Sequence, residues 1–143
     1  MRILCTNDDG YLAEGLRVLA QAARLIGEVS VVAPDREQSA TSHSLTLNDP
    51  LRSRRATDGA FVVDGTPTDC VMLGIAELLG FHPDLCVSGV NHGPNMGYDV
   101  LYPGTVAAAM EAPVMVVPPI VVPYVGERAS DEVAGWVEPV CLF

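Results

Sequence analysis

The chain has 143 residues, of which 49% are hydrophobic, and its 8 basic and 18 acidic side chains give a net charge of −10. This length suits a single domain spanning residues 1–143, and the high apolar content excludes a disordered chain. The negative charge argues against nucleic acid polymers and anionic membranes as partners, because both bind basic surfaces. All eight basic residues are arginine, which excludes chemistry that depends on a lysine.

Targeting and redox signals point to the cytoplasm. Asp8 and Asp9 do not fit the basic and then apolar start of a secretion signal. The apolar stretch 114–125 is too short to span a bilayer and is interrupted by three prolines. The cysteines show no CxxC spacing, which predicts buried reduced thiols at Cys5, Cys70, Cys86 and Cys141. We therefore expect a cytoplasmic protein.

The first 34 residues predict a βαβ unit. Residues 2–6 form a short apolar strand, and apolar residues then recur at helical spacing over residues 13–26. A second apolar strand covers residues 29–33 and is closed by Pro34. Two strands joined by a helix usually lie parallel in one sheet, so a parallel sheet covered by helices is expected.

The rest of the chain predicts further short elements. Thr66, Pro67 and Asp69 have the spacing of a helix N-cap, first turn and capping partner, so a helix is expected from there to about residue 79. Residues 105–111 favour the start of another helix. Strand-like apolar runs occupy residues 45–47, 51–55, 61–63, 85–87, 115–117 and 120–122. Together these patterns predict an α/β fold.

Three polar loops directly follow predicted strands, at residues 7–10, 35–44 and 88–103. In an open parallel α/β sheet, ligands bind outside the carboxyl ends of the strands. If these three strands are parallel, their loops meet at one edge of the sheet. The third loop has 16 residues, and a loop of that length in a small domain is usually functional. The sequence therefore predicts a functional site where the three loops converge.

The side chains in these loops are mainly oxygen donors. The adjacent carboxylates of Asp8 and Asp9 repel each other, and a divalent cation relieves that repulsion. The second and third loops add hydroxyl and amide oxygens from Ser39, Thr41, Ser42, Ser44, Asn91 and Asn95. This set suits Mg²⁺ or Mn²⁺, which polarises phosphoryl oxygens and lowers the pKa of a bound water. The alternative for the acidic pair is an exposed turn with a helix N-cap.

Glycines and histidines in the loops give weaker signals. The chain contains neither GxGxxG nor a P-loop motif, so dinucleotide and P-loop binding are not supported. Gly104 and Thr105 open a helix, and the free N–H groups of a helix N-terminus can hold a phosphate. His43 and His92 could reach the predicted site, although a solvated or locally hydrogen-bonded imidazole is the simpler account of each.

Five blocks of sequence together resemble the survival protein SurE family. They are MRILCTNDDG, VVAPDREQSATSHSLTL, VDGTPTDCV, VSGVNHGPNMG and DVLYPGTVAAAME, and they occur in this order over residues 1–112. The family contains metal-dependent acid phosphatases that dephosphorylate nucleoside monophosphates. The resemblance implies a Rossmann-like three-layer sandwich with a mostly parallel sheet, one divalent ion (Mg²⁺ or Mn²⁺) per subunit, and a homodimer or tetramer.

The resemblance also implies roles for individual residues. The implied metal ligands are Asp8, Asp9, Ser39 and Asn91, and the two aspartates are also the implied catalytic residues. Asn95, Gly104 and Thr105 are the implied phosphate-binding residues, and Ser42 and His43 are further substrate-binding candidates. The implied reaction is hydrolysis of a nucleoside 5′-monophosphate by metal-activated water, with Asp8 as the proton acceptor.

Two departures from the family pattern bear on function. The family usually reads Tyr-Ser-Gly-Thr where this chain has Pro103 before Gly104, and proline lacks both the hydroxyl and the backbone N–H. The sequence after Ala112 is short and only loosely family-like, so we expect the C-terminal part of the family fold to be missing. The alternative function is a catalytically impaired nucleotide- or metal-binding remnant of that fold. A receiver-type signalling domain is disfavoured, because it needs a lysine.

Overall fold

The computed structural model describes residues 1–38, 45–90 and 104–122. Within these ranges one sheet contains β1 (Arg2–Thr6), β2 (Glu28–Pro34), β3 (Ser53–Arg55), β4 (Phe61–Val63), β5 (Leu85–Gly89) and β6 (Pro119–Val122). The strand order is β3-β4-β2-β1-β5-β6. All neighbouring strands run parallel except β3, which pairs antiparallel with β4. The predicted mostly parallel sheet is therefore confirmed.

Helices cover both faces of this sheet. Successive residues of β1 point to opposite faces, so Ile3 packs on the side of α1 (Glu14–Ala23) and Leu4 on the other side. That other side is covered by α2 (Pro67–Leu73) and α3 (Gly104–Val114). The three layers agree with the expected Rossmann-like fold. Within the described ranges, the structure contains no helix long and apolar enough to cross a membrane.

The N-terminus of α2 is built by the predicted capping box. Thr66 Oγ1 accepts a hydrogen bond from the backbone N–H of Asp69 (3.1 Å), and Asp69 Oδ2 accepts one from the N–H of Thr66 (2.8 Å). After α2 the chain forms a π-helical turn over Gly74–Leu78, so the predicted helix is not α-helical throughout. Gly80 follows with φ +67°, a left-handed conformation that suits glycine and ends the helix.

The strand predicted at residues 45–47 is not formed. Thr46 instead donates its backbone N–H to Asp69 Oδ1 (3.0 Å) and its hydroxyl to Asp69 Oδ2 (2.7 Å). The Asp69 carboxylate of α2 therefore accepts the backbone hydrogen bond that a neighbouring strand would accept in a sheet. Leu45 and Leu47 on either side of Thr46 remain exposed.

The strand predicted at residues 115–117 is also wrong, because these residues end α3. Val117 donates its N–H to the carbonyl of Ala112 (2.9 Å), and Val116 donates to the carbonyl of Pro113 (2.9 Å). This is the bonding pattern of a Schellman motif, whose left-handed position is usually glycine. Val116 occupies that position with φ +61°. Its side chain is 82% exposed, so packing does not compensate for the strained backbone.

Replacing Val116 with glycine is expected to stabilise the protein. A side chain in the left-handed conformation costs roughly 1–2 kcal/mol, and the added freedom of glycine in the unfolded chain offsets about half of that gain. The free energy of unfolding should rise by about 0.5–1 kcal/mol in urea denaturation. Val114 is also exposed, but it has a helical backbone conformation. Val114→Gly should therefore lower the free energy of unfolding by roughly 0.5 kcal/mol. If Val116→Gly lowered the free energy of unfolding as Val114→Gly does, the inference that the Val116 backbone is strained would be wrong.

Candidate active site

The loop after β1 is a tight turn that carries both predicted metal-binding carboxylates. The side-chain amide of Asn7 donates to the carbonyl of Gly10 (3.0 Å) and closes the turn. Gly10 has φ +96°, and an added Cβ there would lie 3.0 Å from the carbonyl carbon of Arg36. Glycine therefore serves both the backbone conformation and the contact with the second loop. Asp8 is 1% exposed, whereas Asp9 is only partly buried.

The second loop begins beside this turn. The N–H of Gln38 donates to the carbonyl of Asp8 (2.8 Å), and the N–H of Tyr11 donates to the carbonyl of Pro34 (2.8 Å). Ser39 is one peptide bond beyond Gln38. These backbone bonds bring the start of the second loop to the carboxylate turn, as the parallel topology predicts.

The third loop also begins at this edge. β1 and β5 are neighbours, and Thr6 pairs with Ser88 at their carboxyl ends. An added Cβ on Gly15 of α1 would collide with the carbonyl oxygen of Val90, so helix and loop are in backbone contact there. Val90 directly precedes Asn91. The predicted convergence is therefore confirmed for the described parts of the three loops.

Buried oxygen atoms at this edge have no hydrogen-bond partner among the described residues. They are Thr6 Oγ1, Asn7 Oδ1 and Ser88 Oγ, and all three residues are fully buried. A buried polar atom without a partner costs about 1–3 kcal/mol, and it calls for an explanation such as a bound ion, a water or a catalytic role. No sequence pattern singles out these residues as functional, although each is a polar residue at the end of an apolar strand.

A polar cavity adjoins the second loop. Its volume is about 470 Å³, and its lining includes Arg36, Gln38, Thr46, Arg52 and Thr66. Small-molecule sites commonly measure roughly 300–1,000 Å³. Because Gln38 is hydrogen-bonded to Asp8, the cavity lies next to the carboxylate turn. This edge of the sheet thus combines hard oxygen ligands with space for a small molecule.

Comparison with known proteins decides the family. Residues 3–140 match the family model described as Survival protein SurE. The chain belongs to this family. A protein named 5′-nucleotidase SurE from Pelobacter propionicus is 58% identical over 130 residues, which cover 91% of this chain and 53% of that relative. Another of that name, from Gemmatimonas aurantiaca, is 62% identical over 126 residues, which cover 88% of this chain and 50% of the relative.

A solved structure supports the same assignment. The SurE protein from Aquifex aeolicus superposes with a TM-score of 0.88 and 41% sequence identity, over 99% of this chain and 59% of that chain. The chain spans about half the length of the curated relatives it matches. The SurE family and its Rossmann-like fold are thereby confirmed for this chain.

The predicted site residues divide into two groups. Asp8 and Asp9 lie at the edge described above, and Gly104 and Thr105 begin α3, so the predicted helix start is present, while the binding roles of all four residues remain predictions. The others lie outside the described residues and remain predictions: Ser39, Ser42, His43, Asn91 and Asn95.

The residues of the turn fit a hard divalent cation. Two successive carboxylates stand beside the buried amide oxygen of Asn7, and carboxylate and amide oxygens are ligands that Mg²⁺ and Mn²⁺ prefer. Among the described residues, no group of three or more His, Cys, Asp and Glu side chains could hold a metal ion.

Two of the described cysteines are unsuited to ligation or nucleophilic attack. Cys5, Cys70 and Cys86 are buried and form no disulfide within the described residues, in agreement with the predicted reduced thiols, whereas Cys141 lies outside those residues. Burial raises the pKa of Cys86 to about 12. Burial, followed by the nearby carboxylates of Asp69 and Asp35, raises the pKa of Cys70 well above its ordinary value. The Cys70 and Cys86 thiols are therefore uncharged at neutral pH and poor ligands or nucleophiles.

Proposed function

We propose that this SurE-family protein is a divalent-metal-dependent 5′-nucleotidase, which hydrolyses nucleoside 5′-monophosphates to nucleoside and phosphate. The observation that carries the proposal is the Asp8-Asp9 turn together with the buried oxygens of Thr6, Asn7 and Ser88 at the same edge, which have no hydrogen-bond partner in the described part of the chain. The relatives named 5′-nucleotidase SurE support the substrate class. We further propose that residues 1–143 form one domain and that the protein assembles as a homodimer or tetramer.

The proposed cofactor is one Mg²⁺ or Mn²⁺ ion per subunit, held by Asp8, Asp9, Ser39 and Asn91. When bound, it supplies Lewis-acid stabilisation of charge on the phosphoryl oxygens. The two carboxylates are on successive residues of one closed turn.

The other steps fall to side chains and backbone groups around the turn. Asp8 accepts a proton from the attacking water. Asn95 and the free N–H groups at the start of α3, Gly104 and Thr105, hold the phosphate oxygens, because a helix N-terminus favours anions. Ser42 and His43 of the second loop contact the rest of the substrate.

Metal removal tests the proposal directly. Phosphate release from a panel of nucleoside 5′-monophosphates should require Mn²⁺ or Mg²⁺, fall to background in EDTA, and return when the ion is restored. Nucleoside 3′-monophosphates serve as the positional control. If EDTA left the rate of phosphate release unchanged, the proposed metal dependence would be wrong. A folded protein that binds Mn²⁺ but releases no phosphate would instead be the catalytically impaired remnant.

A further inference from the structure

The second loop is anchored by described residues on both sides of residues 39–44. On the near side, the N–H of Gln38 donates to the carbonyl of Asp8 (2.8 Å). This bond ties the loop to the carboxylate turn one residue before Ser39. A backbone bond of this kind does not depend on side-chain identity, so the near anchor is a property of the fold.

The far anchor depends on two side chains. Thr46 donates its N–H to Asp69 Oδ1 (3.0 Å) and its hydroxyl to Asp69 Oδ2 (2.7 Å), although the residues are 23 positions apart. Asp69 is 2% exposed. Hydrogen bonds to a carboxylate in such an environment are short and about twice as strong as neutral ones. The chain leaving the second loop is thus held to the N-terminus of α2.

The capping box of α2 does not account for this arrangement. Capping requires only the reciprocal bonds between Thr66 and Asp69. The two bonds from Thr46 are additional, and they occupy the same carboxylate. Asp69 therefore has one partner on its own helix and a second on the segment that follows residues 39–44.

We infer that Asp69 and Thr46 are positioning residues for substrate binding. Thr46 and Thr66 line the cavity beside the carboxylate turn, as does Gln38, so the bonds to Asp69 hold one wall of the space proposed for the substrate. The inference rests on the proposed nucleotidase function of this site. Loss of the far anchor should then weaken substrate binding more than metal binding or the chemical step.

Steady-state kinetics of Thr46→Val test this inference. Valine keeps the size of threonine but removes the hydroxyl donor. We expect KM for the nucleotide to rise about five- to tenfold, which is part of the free energy of one charge-assisted hydrogen bond, with kcat and Mn²⁺ affinity within about threefold of the wild type. Thr46→Ser retains the hydroxyl and should restore KM to within about twofold. Val114→Gly controls for lost stability and should leave KM unchanged.

A double-mutant cycle assigns the effect to Asp69. In an Asp69→Asn background, Thr46→Val should raise KM by less than about twofold, because the partner of the hydroxyl has already changed. A full additional increase would overturn the role of Asp69. If the Asp69→Asn protein does not fold, the comparison of Thr46→Val with Thr46→Ser still decides the role of the hydroxyl.

Amide hydrogen exchange tests the bonds between Thr46 and Asp69 without relying on enzyme activity. In Thr46→Val, a peptide covering residues 39–46 should exchange its amides at least about fivefold faster than in the wild type, whereas a peptide from α1 should exchange at the wild-type rate. Unchanged exchange in the first peptide, or an unchanged KM, would overturn the inference. If the wild type releases no phosphate, the proposed function fails, and the exchange result still decides whether the anchor exists.

Discussion

Replacing Asp9 with asparagine is expected to lower kcat/KM for nucleoside 5′-monophosphates by about a hundredfold or more. Asparagine has nearly the same shape but no negative charge, so the substitution removes one of two carboxylates proposed to hold the ion. Metal-based charge stabilisation contributes several kcal/mol, and each 1.36 kcal/mol corresponds to about tenfold in rate. Asp9 is also the more exposed carboxylate of the turn, so its replacement disturbs the interior less than that of Asp8.

The matched control for Asp9→Asn is Asp84→Asn. Asp84 precedes β5 at the opposite edge of the sheet, where its carboxylate accepts a hydrogen bond from the N–H of Arg2 (2.7 Å). The two variants have the same net charge, but Asp84→Asn should retain kcat/KM within about twofold, since surface changes of this kind have small effects. Calorimetric titration with Mn²⁺ should show weakened binding in Asp9→Asn alone. If Asp9→Asn retained the turnover and the Mn²⁺ affinity of the wild type, the proposal that Asp9 holds the metal ion would be wrong.

Gly15→Ala is expected to lower both stability and turnover. The added Cβ would collide with the carbonyl oxygen of Val90, which is backbone and cannot rotate away. Overpacking costs typically about 1–3 kcal/mol, and the better helix propensity of alanine offsets about 0.5–1 kcal/mol. The free energy of unfolding should therefore fall by about 1–2 kcal/mol. Because Asn91 follows Val90, the displaced loop should also lower kcat/KM by at least about tenfold.

An exposed position on the same helix gives the control for Gly15→Ala. Arg17 is solvated and makes a long ion pair with Glu14 (3.4 Å) and a long hydrogen bond to Gln21 (3.3 Å), both on the helix surface. Arg17→Ala should change the free energy of unfolding by less than about 0.5 kcal/mol and leave kcat/KM unchanged. Urea denaturation and the nucleotide assay measure both quantities. If Gly15→Ala were as stable and active as Arg17→Ala, the contact between α1 and Val90 would not constrain the third loop.

The correct sequence predictions depend on residues that are close together in the chain. The capping box joins Thr66 to Asp69 across three positions, and the βαβ unit follows from apolar periodicity within the first 34 residues. The carboxylate pair of Asp8 and Asp9 was placed at the correct edge because a parallel topology puts loop 7–10 there. Local pattern and topology were sufficient for these features.

The errors arise where distant residues or unfavourable conformations decide the structure. Residues 45–47 have a strand-like pattern, but their polar partner is the carboxylate of Asp69. Val116 gives no sequence signal for a helix end, because the left-handed position usually carries glycine. Thr6 and Ser88 are buried with no hydrogen-bond partner among the residues described, which is a tertiary property that no local pattern predicts. The site residues within 39–44 and 91–103 remain predictions.

The buried thiols give this protein an internal reporter of its own opening. Alkylating reagents attack the thiolate, and the raised pKa values of Cys70 and Cys86 keep those thiols protonated at neutral pH. Because both side chains are also fully buried, labelling in the absence of denaturant must proceed through transient exposure. Cys70 lies in α2 and Cys86 in β5, so mass spectrometry of the labelled peptides would time the opening of a helix and of a central strand separately. Equal alkylation rates at the two cysteines would indicate that the helix and the strand open together, and different rates would indicate that they open separately.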